Sequence, residues 1–290
     1  MKTLAFIHRN DQRFAVGGFS PVLSVLSYYD LGSTVSPFLL LDHIGPGRLL
    51  PSYKRQGVNE HPHRGFETVT IVYAGEVEHQ DSTGAGGVIR AGDVQWMTAA
   101  SGIIHRELFS EDFTRHGGPF EMVQLWVNLP AADKMGPAGY QNLTGSAIPI
   151  VELSEGAGTV RVIAGDFNGI HGPVRTHTRI NVLDVRIQAG QTASFDTEAS
   201  DTAMIYLLSG RLQFGPDEFM DEQGLAILSQ LGAGIRFTAL ENSRFLVLSG
   251  ERIDEPINGH GPFVMNTYDE ILQAYEDVKN GRLVPLSGKA

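Results

Sequence analysis

Thirty-four glycines in 290 residues leave little uninterrupted chain for long helices, and they fall between short segments with strand chemistry. Between residues 66 and 130 the pattern predicts strands over 67–73, 77–81, 87–89, 93–97, 104–108 and 121–129. In the last of these, Val123, Leu125, Val127 and Leu129 share one face, with Met122, Gln124, Trp126 and Asn128 on the other. Turn chemistry separates the segments: Ala74-Gly75, the run Gly84-Ala85-Gly86-Gly87, Ala91-Gly92-Asp93 and Ala100-Ser101-Gly102. Many short strands at this spacing build a sandwich or a barrel, so the fold class is all-β.

The pattern dissolves after residue 130 and then resumes. Strands are predicted again over 160–164, 181–187, 203–208, 211–214, 225–228, 234–239 and 245–248. The two halves share a faint plan. Tyr73-Ala74-Gly75-Glu76-Val77 aligns with Leu208-Ser209-Gly210-Arg211-Leu212, and Gly92 aligns with Gly224. The expected organisation is a domain over 1–135, a linker over 136–149 and a second copy of the same β-fold over 150–290. One helix is expected near 268–280, closing a barrel. Thr267 and Glu270 form a capping box, Ile271, Tyr275 and Val278 stand at helical spacing, and Asn280-Gly281 ends it.

Composition narrows the function. There is no cysteine, which removes disulfides, thiolate nucleophiles and Cys-ligated metal centres. A net charge of -11 without any Lys/Arg run argues against direct nucleic-acid binding. No apolar run approaches the ~18 residues of a membrane span, and the N-terminus meets charges too early for a signal peptide. The expected location is the cytoplasm, and the expected state a monomer.

The chemistry lies in two short motifs, His61-Pro62-His63 and His105-Arg106-Glu107. On a strand, residues i and i+2 point to one side, so each motif offers a pair of ligands. If both strands face one interior, three imidazoles and a carboxylate converge. Such a set suits a single divalent transition metal; iron, manganese, nickel, copper and zinc all accept nitrogen and oxygen donors. Four protein ligands on a six-coordinate ion leave open positions, as a catalytic site requires.

These motifs also carry a resemblance. His61-Pro-His-Arg-Gly-Phe-Glu-Thr-Val, Gly87-Val-Ile-Arg-Ala-Gly-Asp-Val-Gln-Trp-Met-Thr-Ala, Gly102-Ile-Ile-His-Arg-Glu, Gln124-Leu-Trp-Val-Asn and Gly259-His-Gly-Pro-Phe-Val-Met-Asn-Thr resemble the pirin family of bicupins. The resemblance spans essentially the whole chain and implies two cupin-type β-barrels with a short C-terminal helix. It further implies one iron in the N-terminal barrel, held by His61, His63, His105 and Glu107, and no organic cofactor. Ordinary cupins take a glutamate soon after the His-x-His as ligand, which here is Glu67. The pirin pattern favours Glu107 as the ligand and leaves Glu67 as an outer acceptor for a ligand histidine. Arg64 is read as a salt-bridge or rim residue, and His79, His116 and His8 as solvated or strand-face residues. In the second half the glycine-anchored equivalents of the four ligands are Asp196, Glu198, Phe237 and Ala239, so one metal per chain is expected.

The activity the resemblance implies is that of a quercetin 2,3-dioxygenase, opening a flavonol-type polyphenol with dioxygen. Glu107 would take the proton of a substrate hydroxyl, and Gln124 would be a polar anchor in an otherwise apolar pocket. The partners are then a small aromatic substrate and dioxygen. The alternative reading is an iron-containing, redox-sensitive interaction protein of the pirin type that modulates a protein partner.

Overall fold

Gly75 and Gly210 do the same job in two places. Each has positive φ (83° and 97°) at the tight connection between a long buried strand and its neighbour, Phe66–Ala74 to Glu76–Asp81 and Thr202–Ser209 to Arg211–Gly215. The computed structural model describes residues 1–283, and it carries this connection from the seven-stranded to the four-stranded sheet once in each of two β-units.

The first unit comprises residues 11–33, 38–145 and 253–283. Its seven-stranded sheet runs in the order Gly139–Leu143, Val94–Thr98, Phe66–Ala74, Gly118–Asn128, Phe38–Leu49, Phe19–Ser27 and Arg13–Val16. A four-stranded sheet follows the order Gly57–His63, Ile103–Phe109, Glu76–Asp81 and Gly86–Arg90. Every pairing in both sheets is antiparallel. One part of its core gathers Phe19, Val22, Ile44, Val72, Val77, Phe109, Phe113 and Phe120, where the rings of Phe19, Phe109 and Phe120 pack edge-on and stacked at 4.8–5.9 Å.

The second unit comprises residues 1–10, 34–37 and 146–252, and it repeats the plan. Its seven-stranded sheet has the order Leu4–His8, Leu225–Leu228, Thr202–Ser209, Ser243–Gly250, Ile180–Ile187, Gly158–Ala164 and Ile150–Glu152, beside a four-stranded sheet. Phe195, Phe237 and Phe245 fill its core, with ring centroids 5.1–6.5 Å apart. The strand register places Ile235 and Phe237, not the Phe237 and Ala239 of the glycine-anchored count, where His105 and Glu107 stand in the first unit, and both belong to that apolar filling. The all-β, two-cupin architecture with a short terminal helix is the one the sequence indicates.

The chain exchanges its ends between the units, which contiguous boundaries at 135 and 150 do not express. Leu4–His8 pairs with Leu225–Leu228. Lys2, only 5% exposed, anchors that end by donating from Nζ to the carbonyls of Ala199, Asp201, Ser229 and Gln230 at 2.9–3.2 Å. Residues 253–283 return to the first unit, bringing the helix Tyr268–Lys279 with them. The capping box at Thr267 and Glu270 is present, and Ile271, Ala274 and Val278 meet Phe263 and Met265. Tyr275 sits at the margin of that stripe: it is 40% exposed, its ring packs edge-on against Phe263 at 4.9 Å, and its hydroxyl donates to the His260 carbonyl. The span 136–149 is not all linker, because Gly139–Leu143 adds an edge strand to Val94–Thr98. Its backbone pairing forms without the apolar alternation that a sequence pattern needs. Among the described residues, no helix is long and apolar enough to cross a membrane.

Candidate metal centre

The two ligand motifs lie on adjacent antiparallel strands, Gly57–His63 and Ile103–Phe109, with His61 directly opposite His105. Beyond that pair the register shifts: Glu107 faces Val58, so the first strand carries one extra residue. At this bulge the Asn59 carbonyl accepts from Nδ1 of His61, two residues on, at 2.7 Å. The carbonyl of Pro262 accepts from His63 Nδ1 at 3.3 Å. A carbonyl can only accept, so both Nδ1 atoms carry the proton and both Nε2 lone pairs are left free to bind.

His61, His63 and His105 bring ligand atoms within 4.8 Å of one another, and no other such group of three occurs among the described residues. His105 is fully buried, and neither of its ring nitrogens has a hydrogen-bond partner. Burial is costly for an imidazolium and lowers all three values. His63 falls to about 3, with the charge of His61 adding to the effect, and His105 falls well below the usual range. Glu107 is pushed up to about 7 by burial. Its Oε2 lies 4.0 Å from His105 Nε2, too far for a hydrogen bond. Three neutral imidazoles and a buried carboxyl, with unsatisfied buried nitrogen, form a donor set suited to a divalent cation.

Aromatic rings hold the histidines in place. His63 packs edge-on against Phe66 at 5.2 Å and Trp126 at 5.4 Å. Behind it the C-terminal segment forms a strap. Val264 N–H donates to the Arg64 carbonyl at 3.1 Å, and the buried Lys134 Nζ donates to Gly65 O, Asn128 Oδ1 and Val264 O at 2.6–3.0 Å. Arg64 is the salt-bridge residue the sequence suggests, pairing with Asp277 at 2.8 Å and also donating to Ser101 O. Burial would raise the Asp277 carboxyl, but hydrogen bonds from Arg64, Gln273 and Arg282 outweigh it and hold it at about 2.

A cavity of about 160 Å³ opens beside the cluster. His61, His63 and Glu107 supply one polar side, Asp42 and Gln124 another, and Phe19, Val22, Leu40, Ile44, Met122 and Trp126 most of the rest. Gln124 is therefore where the alternation placed it, with its Oε1 accepting from Thr70 Oγ1 at 2.7 Å.

Glu67 is placed differently from the expectation. The strand carrying the histidines ends at His63, and a new one begins at Phe66 after Gly65 turns the chain with φ 88°. Parity counted from His63 is thereby lost. Glu67 lies on the face opposite Thr68 and Thr70, whose cross-strand partners Trp126 and Gln124 line the cavity. It accepts from Thr98 Oγ1 at 2.7 Å. The ring protons of His61 and His63 go to backbone carbonyls instead. His79 is not solvated: it is 1% exposed, stands opposite Glu107 across the strand pair, and stacks on Tyr140 at 5.4 Å. His43 is also buried, with Nε2 3.2 Å from Glu121 Oε1. Two contributions lie outside the sequence reading: Asp42, and the Pro262 carbonyl, whose residue enters there only as part of the Gly259–Thr267 motif. A lone carboxylate in the run Leu39-Leu40-Leu41-Asp42 was the available signal for the first; nothing marks a backbone carbonyl 199 residues away from its histidine.

Residues 21–127 match the family model described as Pirin, and residues 182–284 match the Pirin C-terminal cupin domain. A Pseudomonas aeruginosa protein provisionally named quercetin 2,3-dioxygenase is 51% identical over 284 residues, covering 98% of this chain and 99% of its own. Human pirin is 38% identical over 253 residues, covering 86% and 83%. The crystal structure of a quercetin 2,3-dioxygenase from Acinetobacter baumannii superposes with a TM-score of 0.96 at 44% identity, covering 99% of both chains.

Proposed function

Since this chain belongs to the pirin family, we propose that it is a metal-dependent dioxygenase that cleaves flavonol-type polyphenols such as quercetin, with His61, His63, His105 and Glu107 as the ligands of one iron. The observation that carries this reading is the placement of His61 and His63 of the histidine cluster, with Glu107, on the wall of an otherwise largely apolar cavity. A structural metal needs no such opening, whereas a planar aromatic substrate needs both the apolar walls and a few convergent polar groups.

When bound, the metal supplies Lewis-acid stabilisation of a substrate oxyanion and access to one-electron chemistry with dioxygen. The remaining steps fall to the chain itself. Pro262 and Asn59 fix the ring tautomers, so that Nε2 of His63 and His61 faces the site. Trp126, Leu40 and Ile44 exclude water and give the substrate rings a surface to lie on. Glu107 takes the proton of the substrate hydroxyl on a carboxylate oxygen.

The test is oxygen uptake together with product analysis, using quercetin and iron-loaded protein. Consumption of oxygen with ring-opened product, abolished in His63→Ala, is the expected result. If iron-loaded protein consumes no oxygen with any flavonol, while the oxidation state of its metal changes binding of a cellular protein, the interaction reading replaces this one.

A further inference from the structure

Asp42 is the second carboxyl on the wall of the cavity that Glu107 lines, and the proposed metal set does not include it. Its position follows from the register. Along Phe38–Leu49 and Gly118–Asn128, Leu40 stands opposite Trp126, Asp42 opposite Gln124 and Ile44 opposite Met122, so all six side chains point into one space. On its other side Asp42 stands opposite Ser24.

Its Oδ1 is buried without any hydrogen-bond partner. Buried acceptors in folded proteins are almost always satisfied, and one left open on a cavity wall points to a donor supplied from within the cavity. Burial pushes the carboxyl up to about 6, with a hydrogen bond from Ser24 working the other way. Gln124 completes the pair. Its Oε1 is taken by Thr70, which leaves its amide N–H groups as donors beside the Asp42 acceptor. A hydroxyl both donates and accepts one hydrogen bond, and an acceptor next to a donor is the complement of that group.

We propose that Asp42, with Gln124 across the strand pair, is the specificity-determining anchor for a phenolic hydroxyl of the substrate other than the one that meets Glu107. The inference rests on the flavonol reading and sharpens it: the preferred substrate is a polyhydroxylated flavonol rather than a bare 3-hydroxyflavone.

The test measures binding of quercetin and of 3-hydroxyflavone to the metal-loaded protein without oxygen, by calorimetry or tryptophan quenching. The parent protein is expected to prefer quercetin by roughly 10–100-fold, the range of one hydrogen bond to a charged or strongly polar group. In Asp42→Leu the ratio is expected to fall to about one, with 3-hydroxyflavone bound at least as tightly as before. The near-isosteric Asp42→Asn keeps an acceptor oxygen and is expected to give an intermediate ratio, which also guards against a variant that does not fold. An undiminished preference in folded Asp42→Leu overturns the anchor, as does equal binding of both ligands by the parent; in either case flavonol binding itself stands. Failure of both ligands to bind the parent overturns the flavonol reading and this inference together.

Discussion

Replacing Gly65 by alanine tests whether the C-terminal strap sets the metal centre. Gly65 has φ 88°, and a Cβ there would lie 2.0 Å from the Val264 carbonyl oxygen and 2.7 Å from Met265 Sδ. The left-handed conformation alone costs a non-glycine residue about 1–2 kcal/mol. The clash is with backbone, so no rotamer change relieves it, and residues 262–264 must move. Their displacement strains the Val264–Arg64 hydrogen bond, worth about 0.5–1.5 kcal/mol, and the Lys134–Val264 bond, worth about 1.5–3 because its donor is charged. The loss should reach roughly 3–6 kcal/mol, lowering Tm by on the order of 10 °C. Pro262 moves with the strap, so His63 loses the acceptor that fixes its ring, and metal affinity should weaken by about 10–100-fold. Gly84→Ala is the matched control. Its φ is 87°, yet nothing lies within 4 Å of the added methyl, so only the backbone cost of about 1–2 kcal/mol applies. Thermal unfolding and competition with a chelator, run on both variants, decide the matter. Equal losses in the two, or unchanged metal affinity in Gly65→Ala, would refute the strap as a positioning device.

Other expectations follow from the same geometry. Glu107→Gln should lose most of the metal on dialysis, because it removes the charged member of the set, whereas Glu67→Gln should retain it; elemental analysis that finds the reverse places the ligand carboxylate at Glu67. Metal content of the parent should be about one equivalent or less per chain, since Ile235 and Phe237 stand where the second barrel would need ligands. Phe237→Ala should cost about 3–5 kcal/mol through the cavity it leaves, with metal content of the folded protein unchanged. Asp42→Asn should be more stable than the parent above pH 6, by at most about 3 kcal/mol, because the folded protein holds this carboxyl near 6 against an ordinary 3.8. The folded state binds the extra proton between those values, so the parent loses stability as pH rises through that window. Denaturant titrations at pH 4 and pH 8 should therefore show the two converging at the lower pH.

Periodicity and turn chemistry were enough to read the strands between 66 and 130, the repeat that aligns Gly75 with Gly210, and the capped terminal helix, because each of these is a local preference of adjacent residues. The pairs His61/His63 and His105/Glu107 were legible for the same reason: the two-residue repeat of a strand is a property of the chain alone. That they meet depends on an antiparallel register between segments more than forty residues apart, and on a bulge that no local pattern announces. Glu67 shows the limit most directly, since one glycine turn ends the strand and resets the parity counted from His63. Asp42, the Pro262 carbonyl and the buried stack of His79 on Tyr140 became visible only once distant strands and the returning C-terminal segment were in place. Local sequence determines which way a side chain leaves its own strand; tertiary packing alone determines what it faces, because that contact is made by residues far away along the chain.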